Sequence, residues 1–440
     1  MKQSRILIYS LTASQFFIIL FFWLNSSRSD LLLFPGSTLI ALGRLMGLLT
    51  VYFVLIQFVL RGRIMPLERI FGYETLNALH KKNGYVVFIF LLLHPLLITT
   101  GYSLSGKIDI IAQFIQLITI FENVWLAFIG WIMFMVIILS SIYIVRKRLK
   151  YELWYYVHFA TYIAVILSWF HQLSVGTDFL INQWFAYYWY VLYGGVFASV
   201  IYSRFIKILL LFHKHRFYVD KIVKETSNSV SVYIKGRSLS SFIFEPGQFL
   251  FVRFFEKKYV MESHPFSFSS VPNSEYIRLT VKNEGDFTAK LPLIKPGTKL
   301  LIDGPHGAFT ERFMEKDKIV YIAGGVGITP IRSLIEGINQ RKEQILFYSN
   351  RTSNEIIFQK ELDELSRKHN FPIYNVISRE ESYAGIKGRI NVELIRKYVK
   401  NLSDYDFYIC GPVPMAKSII SELKSAGISS SQIHFEEFAL

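Results

Sequence analysis

Six long apolar runs dominate the first half of the chain, and short alternating runs broken by turns fill the second. The apolar runs extend roughly over 6–24, 39–60, 86–100 with an upstream extension from Leu79, 124–145, 153–170 and 184–212. Most approach the roughly 20 residues that a helix needs to cross a hydrocarbon core, so the pattern predicts six membrane helices. Lys2 and Arg5 before the first run resemble the start of a signal peptide, but Asn25-Ser26-Ser27-Arg28 lacks a small-residue cleavage site, and the run reads as an anchor. Between the third and fourth spans, the stretch from Ile108 to Phe114 fits either a helix lying in the membrane interface or a plain loop. From Phe217 onward the period shortens. Runs at 230–234, 249–254, 277–281 and 299–302 predict a small barrel. Runs at 319–323, 344–348, 373–377 and 406–409, separated by helical stretches, predict a parallel α/β sheet.

Composition sharpens this division. Of 440 residues, 52% are hydrophobic and only 18% charged, a balance too oily for an ordinary soluble enzyme. Residues 1–216 hold 18 basic and 7 acidic side chains, and 217–440 hold 30 and 26, so the positive excess lies mainly around the spans. With a cytoplasmic N-terminus, 15 Lys and Arg fall on the inner side, including Arg146, Lys147, Arg148 and Lys150, and only Arg28 and Lys107 fall outside. That bias predicts a multi-pass protein of the plasma membrane with both termini and the polar half inside the cell. The charge is topology, and a nucleic-acid partner is not expected. A single cysteine, Cys410, excludes an intrachain disulfide, a CxxC zinc site and a cysteine-ligated iron–sulfur cluster. A redox centre here needs histidines.

Four histidines supply that chemistry. His80 and His94 flank the third run, and His158 and His171 flank the fifth. Ionisable residues within spans are costly and mark function. At 1.5 Å per residue, separations of 14 and 13 positions place the members of each pair roughly 20 Å apart along the helix. Both helices run outward, so His80 lies level with His158 and His94 with His171. Two haems, each clamped by one imidazole from each helix, would then form an electron relay with no open iron position. One detail resists. Fourteen residues return a side chain to within about 40°, whereas thirteen leave it about 140° away, so helix five needs a distortion, or His171 is no ligand. Arg44, within the second span, fits a haem propionate or anionic product, or snorkelling to the outer headgroups.

The polar half carries phosphate and ring signals. The turns around Pro246-Gly247-Gln248-Phe249, His264-Pro265-Phe266-Ser267-Phe268 and Gly285-Asp286-Phe287-Thr288 combine aromatic faces, hydroxyls and close backbone. Gly324-Gly325-Val326-Gly327-Ile328-Thr329-Pro330 joins a buried strand to a helix, a ready anion site for a pyrophosphate or a simple tight turn. Arg351 follows the next strand, where an arginine pairs with the 2′-phosphate of NADPH or is merely solvated.

Taken together, the histidine pairs, His264-Pro265-Phe266-Ser267, the Gly324–Pro330 turn, Cys410-Gly411-Pro412-Val413-Pro414-Met415 and Phe435-Glu436-Glu437-Phe438 resemble the transmembrane NADPH oxidase and ferric reductase family of flavocytochromes b, particularly its compact bacterial members. The resemblance implies a six-helix transmembrane bundle over 1–216 with two b-type haems, followed by a ferredoxin-reductase-like module with an antiparallel FAD barrel over 217–312 and an NADPH-binding α/β domain over 313–440. It implies that His264 to Ser267 contact FAD near its ring, Gly285 and Thr288 its phosphates, Gly324, Gly325, Gly327, Thr329 and Pro330 the NADPH pyrophosphate, and Cys410 the nicotinamide edge, with Gly411 and Pro412 beside it. Phe438 would stack on the flavin. Without the family, Cys410 reads as a buried thiol at a strand end and Phe438 as a core side chain. The implied activity is transmembrane electron transfer from cytoplasmic NADPH to dioxygen, giving superoxide. A ferric or cupric chelate, or an extracytoplasmic redox protein, is the alternative acceptor. The absence of an EF-hand loop or long insertion leads to the expectation that neither calcium nor a regulatory subunit is needed.

Overall fold

The computed structural model describes residues 2–142, 149, 151–256, 262–272, 275–338 and 342–436. The expected inner-side residues Arg146, Lys147, Arg148 and Lys150, and the expected flavin-stacking Phe438, lie outside that set. The chain forms two compact units, one of Met1–Ile64 and Thr75–Ile201, the other of Met65–Glu74 and Tyr202–Leu440.

In the first unit six helices are long and apolar enough to cross a membrane: Gln3–Ser27, Pro35–Arg61, Tyr73–Gly106, Val124–Ser141, Leu153–Val175 and Gln183–His215, the last two with internal irregularities and the last continuing into the second unit. Hydrocarbon offers these helices no hydrophobic drive to associate, so packing and interhelical hydrogen bonds hold them. Trp23 Nε1 donates to the Ala41 carbonyl at 2.8 Å, Tyr52 Oη to Thr12 at 2.6 Å, and Trp189 Nε1 to Gln172 Oε1 at 3.0 Å. The stretch after Ile108 is a helix, Ile110–Ile120, because Asp109 accepts from the amides of Ile111 and Ala112 and so caps it. The fifth span breaks at Ala160, dividing it into Tyr151–Phe159 and Thr161–Val175.

The second unit begins with two three-stranded antiparallel sheets, β1(Tyr218–Thr226)–β2(Ser229–Lys235)–β5(Ile277–Lys282) and β4(His264–Ser267)–β3(Phe249–Phe254)–β6(Leu300–His306). Bridges at Tyr218↔Lys299 and Phe268↔Leu279 join the two sheets at both edges and close a barrel. Its interior holds Val232, Ile234, Leu250, Val252, Leu279 and Ile302, each contributing about 1.5–3 kcal/mol of burial. Beyond it lies a wholly parallel sheet of β7(Lys318–Gly324), β8(Glu343–Asn350), β9(Ile373–Ile377), β10(Ile386–Lys387), β11(Tyr405–Cys410) and β12(Ile433–Glu436), in the order β10-β9-β8-β7-β11-β12. Helices such as Ile328–Gly337 and Val413–Ser425 cover its two faces over separate cores.

The short helix Met65–Phe71, between the second and third spans in sequence, belongs to the second unit. It is held by Glu68, whose Oε2 lies 2.6 Å from His306 Nδ1, and by Tyr73, whose ring meets Phe249 edge-on at 5.5 Å.

Candidate redox sites

The bundle brings its four span histidines together in two facing pairs. Ring centroids are 6.1 Å apart for His80 and His158, and 6.3 Å for His94 and His171. An iron with an imidazole nitrogen about 2 Å away on each side separates two ring centroids by roughly 6 Å, once ring radii of about 1 Å are added. The observed spacing therefore fits bis-histidine haem at both levels. The break at Ala160 lies between His158 and His171 and resolves the angular difficulty. Its backbone turns with ψ −9°, and its amide divides its bond between Tyr156 and Val157 at 3.1 and 3.2 Å. The two halves of the span need not share one helical phase, so both rings face the third span.

Each level has its own supports. His94 Nδ1 lies 2.8 Å from the Gly43 carbonyl. A carbonyl only accepts, so the proton is on Nδ1 and Nε2 keeps its lone pair, the form a metal ligand requires. The next residue, Pro95, has no amide to give to Leu91, and Trp131 Nε1 satisfies that released carbonyl at 2.9 Å. At the other level Ser141 Oγ donates to Ile137, accepts from Trp154 Nε1 at 3.2 Å and lies 3.4 Å from His158 Nδ1, while the Trp154 ring stacks on His158 at 5.2 Å. The Nδ1 atoms of His80 and His171 are buried without a partner at strict hydrogen-bonding geometry among the described residues, although the His80 ring also interacts with the backbone of Gln57 and the His171 ring with that of Ser168.

Arg44 finds its partners within the chain. Its guanidinium bonds Asp30 at 3.0 Å and Ser27 at 2.7 Å and lies 3.8 Å from buried Asp178, which also accepts from Ser26. Burial raises the Asp178 carboxyl above its ordinary value, against the bonds of Ser26 and the charge of Arg44. Neither acid was anticipated, because each is distant in sequence from Arg44. An arginine inside a span was the available signal that a buried acid should exist.

On the barrel, the segment His264–Ser267 is a strand, where a turn was expected. β4 lies at the sheet edge, so Pro265, opposite Phe251, costs no central ladder bond. His264 stacks on Phe287 with centroids 3.8 Å apart, Phe266 is half-buried, and Ser267 is buried. Gly285 is open to solvent. Thr288 spends its hydroxyl on its own turn, donating to Gly285 O and accepting from the Glu284 amide. Beneath lies His306, buried between Glu68 and Asp303, the latter at 3.0 Å. Burial lowers its pKa, but the bonds and charges of Asp303 and Glu68 prevail and raise it above the usual histidine value.

On the parallel sheet the glycine turn follows β7 and opens the helix Ile328–Gly337. Cys410 at the end of β11 is in register with Ala323, so the ends of two neighbouring strands form one crevice, where open α/β sheets bind ligands. Side chains would fill it. A Cβ on Gly327 would lie 2.1 Å from the Cys410 carbonyl, and one on Gly411 would lie 2.9 Å from Gly324. Gly325, at φ +53°, has nothing within 4 Å of where a Cβ would stand, which leaves room for a phosphate against the helix N-terminus. Thr329 and Pro330 are buried, and Thr329 Oγ1 bonds Val326 O at 3.0 Å, so they shape the turn from inside. Arg351 and Pro412 are exposed. Cys410 is fully buried, with Sγ 3.7 Å from Glu436 O, and burial, with the charge of Glu436, pushes its thiol pKa well up. Glu436 itself is pushed up to about 8 by burial and by the charge of Glu74.

Residues 46–169 match the ferric reductase like transmembrane component family, 211–310 the FAD-binding domain family, and 321–420 the oxidoreductase NAD-binding domain family. Among curated proteins, the glycine betaine monooxygenase reductase subunit of Pseudomonas aeruginosa is 28% identical over 235 residues, covering 51% of this chain and 64% of that one. A flavohemoprotein of Halalkalibacterium halodurans is 30% identical over 254 residues, covering 50% and 59%. The chain thus spans less than two thirds of these relatives' own length. Among solved structures, a ferredoxin NADP+ reductase from Neisseria gonorrhoeae with bound FAD and NADP is 24% identical with a TM-score of 0.45, covering 50% of this chain and 98% of that one. Six apolar helices, a closed barrel and a parallel sheet in this order, with those three matches, give the chain the domain architecture of the ferric reductase/NADPH oxidase family.

Proposed function

We propose that the chain passes electrons from cytoplasmic NADPH through FAD and two b-type haems to dioxygen outside the cell, giving superoxide. The observation that carries this reading is the pair of facing imidazoles at two levels of one bundle. Bound flavin and haem supply the conversion of a two-electron hydride into single electrons and their relay. His80 and His158 would hold the inner haem, and His94 and His171 the outer one. Held by histidines on both sides, each such group would have no open metal position, so the chemistry it would supply is electron transfer and not dioxygen binding at the metal. Arg44, paired with Asp30 and Asp178, ties the outer ends of the first two spans to the turn before the sixth, and any effect on the acceptor comes from that cluster as a whole.

In the cytoplasmic half we assign FAD to 217–312 and NADPH to 313–440, after a membrane domain of 1–216. His264, Pro265, Phe266 and Ser267 position the flavin, and Gly285 and Thr288 its phosphates, Thr288 by holding the turn. Gly324, Gly325 and Gly327 admit the NADPH pyrophosphate over a turn that Thr329 and Pro330 brace. Arg351 takes the 2′-phosphate, Cys410, Gly411 and Pro412 border the nicotinamide, and Phe438 stacks on the flavin. Because its pKa is raised, Cys410 acts as a neutral surface and not as a thiolate. The inner location of this half rests on the basic residues around the spans and on the docking of Met65–Glu74, a loop between two spans, against the barrel. With the cell interior negative, outward electron flow gains about 2.3 kcal/mol per 100 mV.

The test is the superoxide yield per NADPH of the purified protein supplied with FAD and haem, by dismutase-sensitive dye reduction. About two per NADPH, as two single-electron steps require, makes it an oxidase. A low yield with slow turnover that a ferric chelate restores makes it a metalloreductase, the second reading, favoured by the match of 46–169 to ferric reductase components. Restoration by an extracytoplasmic redox protein alone makes it that protein's electron donor.

A further inference from the structure

The outer histidine is placed by glycines that do not touch a metal. On the second span Gly36, Gly43 and Gly47 recur seven and four positions apart, which keeps them on one face of the helix. Gly101 faces them from the third span. A Cβ on Gly43 would lie 2.8 Å from Ile98 Cγ1 and 3.0 Å from its backbone nitrogen, and one on Gly101 would lie 2.8 Å from both Gly36 O and Ile40 N. A Cβ on Gly47 would lie 2.8 Å from both Cε1 and Nδ1 of His94. Side chains do not tolerate such distances, so the two backbones reach this approach only because all four residues are glycine. Toward the inner end the seam relaxes. There a Cβ on Gly84 would meet only the mobile tip of Gln57, at 3.3 Å.

We propose that this glycine seam is a positioning device for His94. It brings the Gly43 carbonyl to 2.8 Å from Nδ1, fixes the proton there, and seats the Nδ1–Cε1 edge of the ring against Gly47. A carbonyl drawing on Nδ1–H makes the imidazole a more basic ligand, which favours ferric over ferrous iron. The seam thereby lowers the potential of the outer centre relative to the same centre without that bond. This rests on the four-histidine reading above.

The experiment is a potentiometric titration of the haem absorbance in the full-length protein, with flavin content as the check on folding. Wild type, Gly47→Ala and Gly195→Ala are compared, the last because nothing lies within 4 Å of a Cβ there. Gly195→Ala is expected to titrate as wild type. Gly47→Ala is expected to keep its flavin and its inner component, and to lose the outer component or shift it to higher potential. Two unchanged components in Gly47→Ala overturn the proposal while leaving the haem reading intact. A wild-type protein that takes up no haem overturns the haem reading and the proposal with it. If Gly47→Ala fails to assemble, Ile98→Ala, which loosens the seam without adding an atom, is expected to shift the same component upward by less, and no shift there overturns the proposal equally.

Discussion

The two levels of the bundle hold the same chemical pair in different ways. At the outer level the second span fixes the third span's ring: glycines let the two spans approach, Gly43 O accepts from Nδ1, and Trp131 satisfies the carbonyl that Pro95 releases. At the inner level the fourth and fifth spans do the holding, through Ser141 and Trp154 around His158. Equal ring spacings thus conceal unequal supports. Spacing alone leaves the two pairs alike, and where such histidines ligate a metal the hydrogen bonds behind them tune affinity and potential.

The largest effects should follow from removing ligands, and their pattern separates the levels. His80→Ala should leave flavin reducible by NADPH but bring every haem signal driven by NADPH to background. His94→Ala should leave an inner haem that NADPH still reduces, with acceptor reduction outside at background. Rapid-mixing absorbance spectra of the two variants read this directly. Full turnover in His94→Ala would remove the outer level from the route.

Next in size is the outer cluster. Arg44→Ala leaves Asp30 and Asp178 facing each other without their cation, and removing one member of a buried pair costs about 3–5 kcal/mol. Arg44 is partly exposed, so the lower end is expected, seen as a fall in thermal midpoint with loss of the outer haem before the inner. Asp178→Asn should be much milder, since burial already favours the protonated acid.

A pH effect should act on the opposite end. His306 has its folded pKa raised by Asp303 and Glu68, although burial opposes them. Its contribution to stability is therefore complete below the unfolded value near 6.5 and is lost as pH rises through the folded value. What weakens is the dock of Met65–Glu74, which leads directly into the helix bearing His80. Hydrogen exchange of that segment should increase above neutral pH, and in Glu68→Gln it should already be fast at pH 6. An inner haem no more sensitive to pH than the outer one would break the asymmetry.

Much of this was legible in the sequence because it is periodic. Span lengths, strand runs and the 14-residue step between His80 and His94 follow from helix and strand geometry alone. The 13-residue step was legible only as a conflict. The break at Ala160 that resolves it has no glycine or proline to announce it. The pattern places His264–Ser267 in a turn, whereas it is a strand whose edge position makes Pro265 tolerable. The partners of Arg44 and His306 were not legible, since Arg44 and Asp178 are 134 positions apart and Glu68 and His306 are 238 apart. Only packing pairs such residues.

The smallest expected effect is the most direct test of unequal support. Ser141 Oγ lies 3.4 Å from His158 Nδ1, long for a hydrogen bond, and its proton is committed to Ile137. Ser141→Ala removes that weak acceptor and the partner of Trp154 Nε1 but leaves the stacking of Trp154 on His158. Losing a partner behind a metal ligand typically costs 10–100-fold in affinity or activity, and a bond this long should fall at or below about 10-fold. Haem retention under dilution should therefore decline modestly at the inner level, with the outer component unmoved. A larger loss than in Gly47→Ala would reverse the order of the two levels, and would make the inner level the one whose surroundings set the relay.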